Sequence, residues 1–183
     1  MTEALMFIVK TVFDIICFLF LARLILQASR ADFYNPISQG IVKATDPLLR
    51  PLRLIIPGFR NIDFAAFIAA LLVKALSLVI LLSLSGSELQ VGALPILIRS
   101  LYDVLWLLLT IYFFAILFVI VLSFIAPGSY HPAAILLVQI TDPVLSPARR
   151  ILPPLGGLDF SPIIVFMAII LVRDFLLPGL LLG

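Results

Sequence analysis

Six ionisable side chains fall inside long apolar stretches of this chain: Lys10, Asp14, Lys74, Asp103, Arg173 and Asp174. Their chemistry follows from that setting. A charge at the centre of a bilayer costs about 2.5–3.5 kcal/mol even on the lenient insertion scale, so such groups pair with one another or line a polar cavity. Three of the six are positive and three negative, a balance that suits pairing. At 1.5 Å per helical residue, Asp14 and Lys74 each lie roughly 15 Å in from opposite ends of their stretches, near the midplane. Lys74 also continues the face of Ala66 and Ala70 at steps of four, and small residues mark helix–helix contact. Asp14 and Lys74 are the expected pair, with Lys10, one turn away, as the other candidate partner of Asp14. Asp103, Arg173 and Asp174 fall in the same outer half. Arg23 is close enough to the other end of its stretch to snorkel.

The remaining reactive residue types give little purchase to catalysis. The one histidine, His131, stands where the chain's other half has Asn35, and reads as a helix-start residue. Asp46 and Asp142 each precede a proline, which favours helix capping over acid–base work. Cys17 alone cannot form an intramolecular disulfide or a cysteine-based metal site, and reads as a small packing residue. No glycine-rich phosphate loop or His-containing metal motif occurs. The expectation is a protein with no catalytic, cofactor-binding or metal residues.

The elements that carry these groups come from a duplication. Residues 34–64 and 130–160 align without a gap at an offset of 96, with 13 of 31 positions identical. The matches include Pro36/Pro132, Pro51/Pro147, Arg53/Arg149, Pro57/Pro153 and Asp63-Phe64/Asp159-Phe160. At their centre Thr45, Asp46 and Pro47 match Thr141, Asp142 and Pro143. Prolines and charges held in register specify backbone shape and a polar surface.

Around these segments the chain is apolar: 63% hydrophobic residues, 12% charged, mean hydropathy +1.28. Four stretches reach the length of about 20 residues that a bilayer requires, at roughly 4–28, 64–84, 100–125 and 161–182. The fold class expected is an all-α membrane protein with two parallel helix–loop–helix repeats. The first occupies 1–84 with its loop at 29–63, and the second 100–183 with its loop at 126–160; an outer connection runs over 85–99. Glu3 and a long charged apolar run speak against a cleavable signal peptide at the N-terminus.

Basic residues set the orientation. Arg30, Lys43, Arg50, Arg53 and Arg60 fall in the first repeat loop, Arg149 and Arg150 in the second, and only Arg99 lies on the opposite side. By the positive-inside rule both repeat loops are cytoplasmic, with both termini and the 85–99 connection outside. Two spans per repeat then insert the repeats in the same direction, about an axis along the membrane normal. Within each loop the punctuation predicts two short helices: one opened by Asn35-Pro36 and running through Ala44, another opened by Asp46-Pro47, with Thr45 as a further cap, and ended by Pro57-Gly58. Leu48, Leu49, Leu52, Ile55 and Ile56 alternate there with Arg50 and Arg53, a basic amphipathic element suited to anionic headgroups. A re-entrant hairpin is the alternative, disfavoured because irregular backbone in lipid needs protein cover.

Two copies of a TDPxLxPxR loop, Thr45–Arg53 and Thr141–Arg149, each followed by a proline and an Asp-Phe pair, resemble the YggT family of bacterial membrane proteins. The likeness covers nearly the whole chain. The second loop, LPPLGGLDFSP, is closer to the family pattern than the first, PGFRNIDFAA. The resemblance implies a small multi-pass protein of the bacterial inner membrane associated with osmotic or envelope stress and ion homeostasis. Plastid relatives are linked to cytochrome assembly and to division or nucleoid organisation. It supplies no catalytic residue to carry over.

Two classes of function stay open. A non-enzymatic scaffold or assembly factor would use Lys43, Arg50, Arg53, Arg149 and Arg150 on anionic lipid headgroups or on a membrane-protein partner, with the intramembrane charges as structural pairs. A small channel or transporter, as a homo-oligomer, would line a polar path with those same charges. Neither reading involves a cofactor or nucleic acid. Balanced charges and only four spans favour the scaffold.

Overall fold

The computed structural model describes residues 2–56, 58, 61–86, 92–126, 128–152 and 159–182. Pro57, Arg60 and Pro153, which carry part of the loop and orientation reading, lie outside the described residues. Four helices are long and apolar enough to span a membrane: α1 (Thr2–Ala28), α3 (Phe64–Leu84), α4 (Ala93–Ile125) and a fourth over Ser161–Leu181. Between them run α2 (Pro36–Ile55) and α5 (Pro132–Ile151), one per repeat. The third span opens at Ala93, so Arg99 lies in a helix and not in a connecting loop.

The fourth span is not regular. It is built of α6 (Ser161–Ile170), a π-helical segment at Leu171–Leu176 and α7 (Leu177–Leu181). The N–H of Leu177 reaches back five residues to the carbonyl of Val172. Pro178 follows at once and has no N–H to offer Asp174, so the ladder there cannot keep its usual period.

Each repeat loop holds one continuous helix and not two. Asn35 and His131 do cap α2 and α5, each accepting a hydrogen bond from the backbone N–H two residues on, Ile37 and Ala133. Pro47, Pro51, Pro143 and Pro147, however, sit inside the helices. The apolar face explains why α2 passes through its prolines. Ile41, Thr45, Leu49, Leu52 and Ile56 recur on one side; Leu49, fully buried, packs with Leu52 and Ile56 on the first-repeat core, while Ile41 packs on Leu26, Ala31 and Leu136. Neither Thr45 nor Thr141 is a cap. Each hydroxyl donates to the carbonyl four residues back, Ile41 at 2.7 Å and Leu137 at 2.8 Å.

The two repeats pack differently despite their common register. In the first, α1 and α3 lie against each other along their length, joined by Cys17, Phe20, Leu21, Ala65, Ala66, Ala69 and Ala70. Small residues let the two backbones approach, so that the Cys17 thiol lies 4.0 Å from the Ala70 carbonyl. In the second repeat the same two positions are Phe113 and Phe166, whose ring centroids are 4.8 Å apart. This aromatic pair holds α6 off α4, and their contact is correspondingly slight. Across the repeats α3 packs along α4 without an equally extensive match between α6 and α1, so the arrangement departs from exact two-fold symmetry. At the loop end α2 meets α5, where the Asn35 amide donates to the Pro132 carbonyl at 2.8 Å.

Candidate functional site

The duplicated motif builds the same ion-pair clip twice. In the second repeat the Arg149 guanidinium lies between two carboxylates, with Nε donating to Asp159 and Nη1 to Asp142, both at 2.9 Å. In the first, Arg53 bridges their counterparts, hydrogen-bonding Asp63 and standing 3.8 Å from Asp46. Asp63 and Asp159 each also accept a backbone N–H at the start of the following span, from Ala66 at 3.1 Å and Ser161 at 2.9 Å. One arginine thus ties the loop helix to the N-terminus of the next transmembrane helix. Asp46 and Asp142 are therefore clip members within helices rather than helix caps, because their helices begin ten residues earlier.

Around Arg149 the electrostatics are mutually reinforcing. The hydrogen bond to Asp159 raises the Arg149 pKa above its ordinary value, against a smaller desolvation. Desolvation pushes the Asp159 carboxyl upward, but hydrogen bonds from Ser161 and Arg149 and the arginine's charge outweigh it together and hold the pKa below the usual range.

The first clip contains a member that the sequence reading sent elsewhere. Arg23 does not snorkel: it is 6% exposed, with Nη1 2.8 Å from Asp46 and donating to Thr45 Oγ1 and the Val42 carbonyl, both at 3.1 Å. Its Nε lies 3.8 Å from Asp63. Arg50 adds an exposed contact to Asp46 at 3.5 Å. Arg50 and Arg53 therefore engage carboxylates of their own chain, Arg50 with most of its surface still free. Lys43 and Arg150 are exposed on α2 and α5.

A second polar region lies in the half of the molecule away from the loop helices. Lys74 Nζ is 2.5 Å from Asp14 Oδ1, bridging α3 and α1. Arg99 pairs with Asp103 one turn on, at 3.2 Å. With Lys10, Ser77, Tyr102 and Trp106, these groups line a cavity of about 530 Å³. Arg173 and Asp174 stand apart from it. They pair with each other at 2.8 and 2.9 Å in the π-helical segment, and the guanidinium lies over the Trp106 and Phe113 rings. Arg99, Ser77, Tyr102 and Trp106 were not singled out from sequence, although the four-residue step from Arg99 to Asp103 was a readable signal. Between this chamber and the first clip lies an apolar layer of Cys17, Phe20, Leu21, Ala69, Ala70 and Val104, none more than 3% exposed. Among the described residues no group of histidine, cysteine and carboxylate side chains is arranged to hold a metal.

Residues 2–84 and 98–180 match the protein family described as CCB3/YggT. A protein of Pseudomonas aeruginosa named as uncharacterized is 45% identical over 172 residues, covering 94% of this chain and 87% of its own length. A Vibrio alginolyticus protein, also named as uncharacterized, is 36% identical over 91% of this chain and 90% of its own. The Escherichia coli protein named "Uncharacterized protein YggT" is 33% identical over 190 residues, or 97% of each chain. No solved structure matches.

Proposed function

The chain belongs to the CCB3/YggT family, and on that premise we propose that it is a non-enzymatic scaffold of the bacterial inner membrane, serving membrane organisation or assembly under osmotic or envelope stress. The observation that carries this reading is the apolar layer across the first repeat. Asp14 and Arg23 lie on one helix about 13 Å apart at 1.5 Å per residue, and the fully buried Cys17 and Leu21 stand between them. An apolar layer therefore separates the polar chamber from the first clip, and the chamber's acidic groups face basic neighbours. Such an arrangement suits a rigid bundle better than a permeation path.

The opposite end carries the contact surface. Tyr34, Leu54, Ile55, Tyr130 and Ile151 are exposed around α2 and α5, an apolar fringe beside Lys43, Arg50 and Arg150. Such a fringe, set at a cytoplasmic face among basic groups, fits headgroups and the juxtamembrane part of a partner protein. Photo-crosslinking residues at positions 54 and 151 should yield one or a few defined protein adducts in membranes. Adducts with lipid alone would sink the scaffold. The chamber keeps one rival alive, a channel formed on oligomerisation, and liposomes holding the purified protein test it: the scaffold requires ion flux no greater than that of empty vesicles.

A further inference from the structure

Alignment of the repeats at their offset of 96 puts Val119 where the first clip has Arg23, while Thr141, Asp142, Arg149 and Asp159 retain the other members. The exchange removes a buried cation and leaves its two acceptor carboxylates. Arg50 also becomes Ser146, so Asp142 and Asp159 share Arg149, where Asp46 and Asp63 have three arginines. Among the described residues the space is not refilled. Because Phe113 and Phe166 prop α4 away from α6, a cavity of about 680 Å³ opens there, with Val119, Ser123, Leu145, Arg149, Asp159 and Phe166 in its wall. Its size falls within the range of small-molecule sites.

We propose that this cavity binds the headgroup of an aminophospholipid, the ligand's primary ammonium taking the place that Arg23 holds in the first repeat. Three observations select that chemistry. The first repeat shows what the carboxylate pair accepts: a buried cation, 2.8 Å from Asp46 and 3.8 Å from Asp63. The adjoining Arg149 presents a guanidinium to the same cavity, and guanidinium is suited to phosphate. Apart from Ser123 the rest of the wall is apolar and runs along the spans, and Phe124 and Ile163 in it are 73% and 54% exposed, so the cavity opens sideways toward acyl chains. A soluble amine would meet the Asp159 carboxylate but leave that apolar groove unfilled. An anionic lipid without an amine would meet Arg149 but oppose Asp159.

The probe is a set of nanodiscs containing phosphatidylethanolamine, phosphatidylglycerol and phosphatidylcholine with identical acyl chains in equal amounts. After mild extraction, native mass spectrometry reads the lipids retained by the full chain. Phosphatidylethanolamine should be retained about tenfold over each of the others, equivalent to about 1.4 kcal/mol. Phosphatidylcholine is the discriminating control, since it has the same charges but no N–H to donate. Val119→Arg supplies the missing cation from the protein and should abolish the preference. If that variant does not fold, Asp159→Asn decides, because the amide oxygen can still accept the Ser161 N–H while the negative charge is lost; it too should reduce the preference to parity. Equal retention of the three lipids by the parent protein overturns the proposal, as does an unchanged preference in a folded variant.

Discussion

The pairing of Asp14 with Lys74 is the residue-scale feature with the clearest consequence. Lys74 is nearly enclosed at 12% side-chain exposure, whereas Asp14 opens on the chamber at 38%. Removing the carboxylate leaves an ammonium buried without its counterion, a loss at the low end of the 3–5 kcal/mol known for such breaks, about 3 kcal/mol. Asp14→Asn and Lys74→Met should each lower the melting temperature in detergent, and the double variant should recover most of the loss. Singles as stable as the parent would show that the two residues do not depend on each other. The depth estimate and the alanine face made both residues legible in the sequence. Arg23 was not legible in the same way. Its partners Asp46 and Asp63 are 23 and 40 positions away, and nothing local distinguishes a clip member from a snorkelling arginine. Only the folded contact of α1 with α2 and α3 brings them together.

At the scale of elements, α2 and α5 show where local reading stops. Asp-Pro is a strong helix-start signal, and it predicted breaks at Pro47 and Pro143 that the structure does not contain. A proline in a helix interior costs about 3 kcal/mol in isolation. Burial of Thr45 and Leu49 in α2 and of Thr141, Leu145 and Ala148 in α5, with clips on both sides of the prolines, outweighs it. The clips themselves are unequal. Among the described residues, Asp63 has both Arg53 and Arg23 within reach, whereas Asp159 has Arg149 alone. Arg149→Gln should therefore speed amide exchange through the C-terminal half of α5 more than Arg53→Gln does in α2. Equal acceleration would mean that Arg23 gives no support. Acid should act in the same order. The folded pKa of Asp159 is depressed, so the stabilisation from its ionised form is fully present above the ordinary carboxylate pKa, about 3.9, and disappears as pH falls through the lower folded value. Exchange in α5 should rise below about pH 4, and in Asp159→Asn this rise should be absent. Small residues matter in the opposite sense between α1 and α3. Ala70 is fully buried against Cys17, so Ala70→Phe, which installs the second repeat's residue, should overpack the contact and cost about 1–3 kcal/mol or more, read as a lower melting temperature.

For the whole molecule, composition and repeat were enough to specify four spans and two parallel units, because bilayer length and hydropathy leave few alternatives. The asymmetry between the units was hidden in a register comparison that only packing makes meaningful: Cys17 with Ala70 against Phe113 with Phe166, and Arg23 against Val119. The same whole-molecule view sharpens the orientation argument. Arg23 joins the basic residues at the loop end, so the contrast in basic residues between the two ends is steeper than a count of loop residues suggests. Basic residues near span ends hold their segment on the cytoplasmic side during insertion. Single cysteines at Lys43 and Arg150, both exposed, should therefore resist a membrane-impermeant thiol reagent in intact cells and react once the membrane is permeabilised. A cysteine at Ser85, just past the far end of α3, should react without permeabilisation. The native Cys17 is fully buried and is replaced by serine, with the unlabelled background checked in that variant. Because α2 and α5 meet at Asn35 and Pro132, both loop positions must give the same answer. Labelling of position 43 or 150 from outside would reverse the orientation, and the surface offered to partners would then lie in the periplasm.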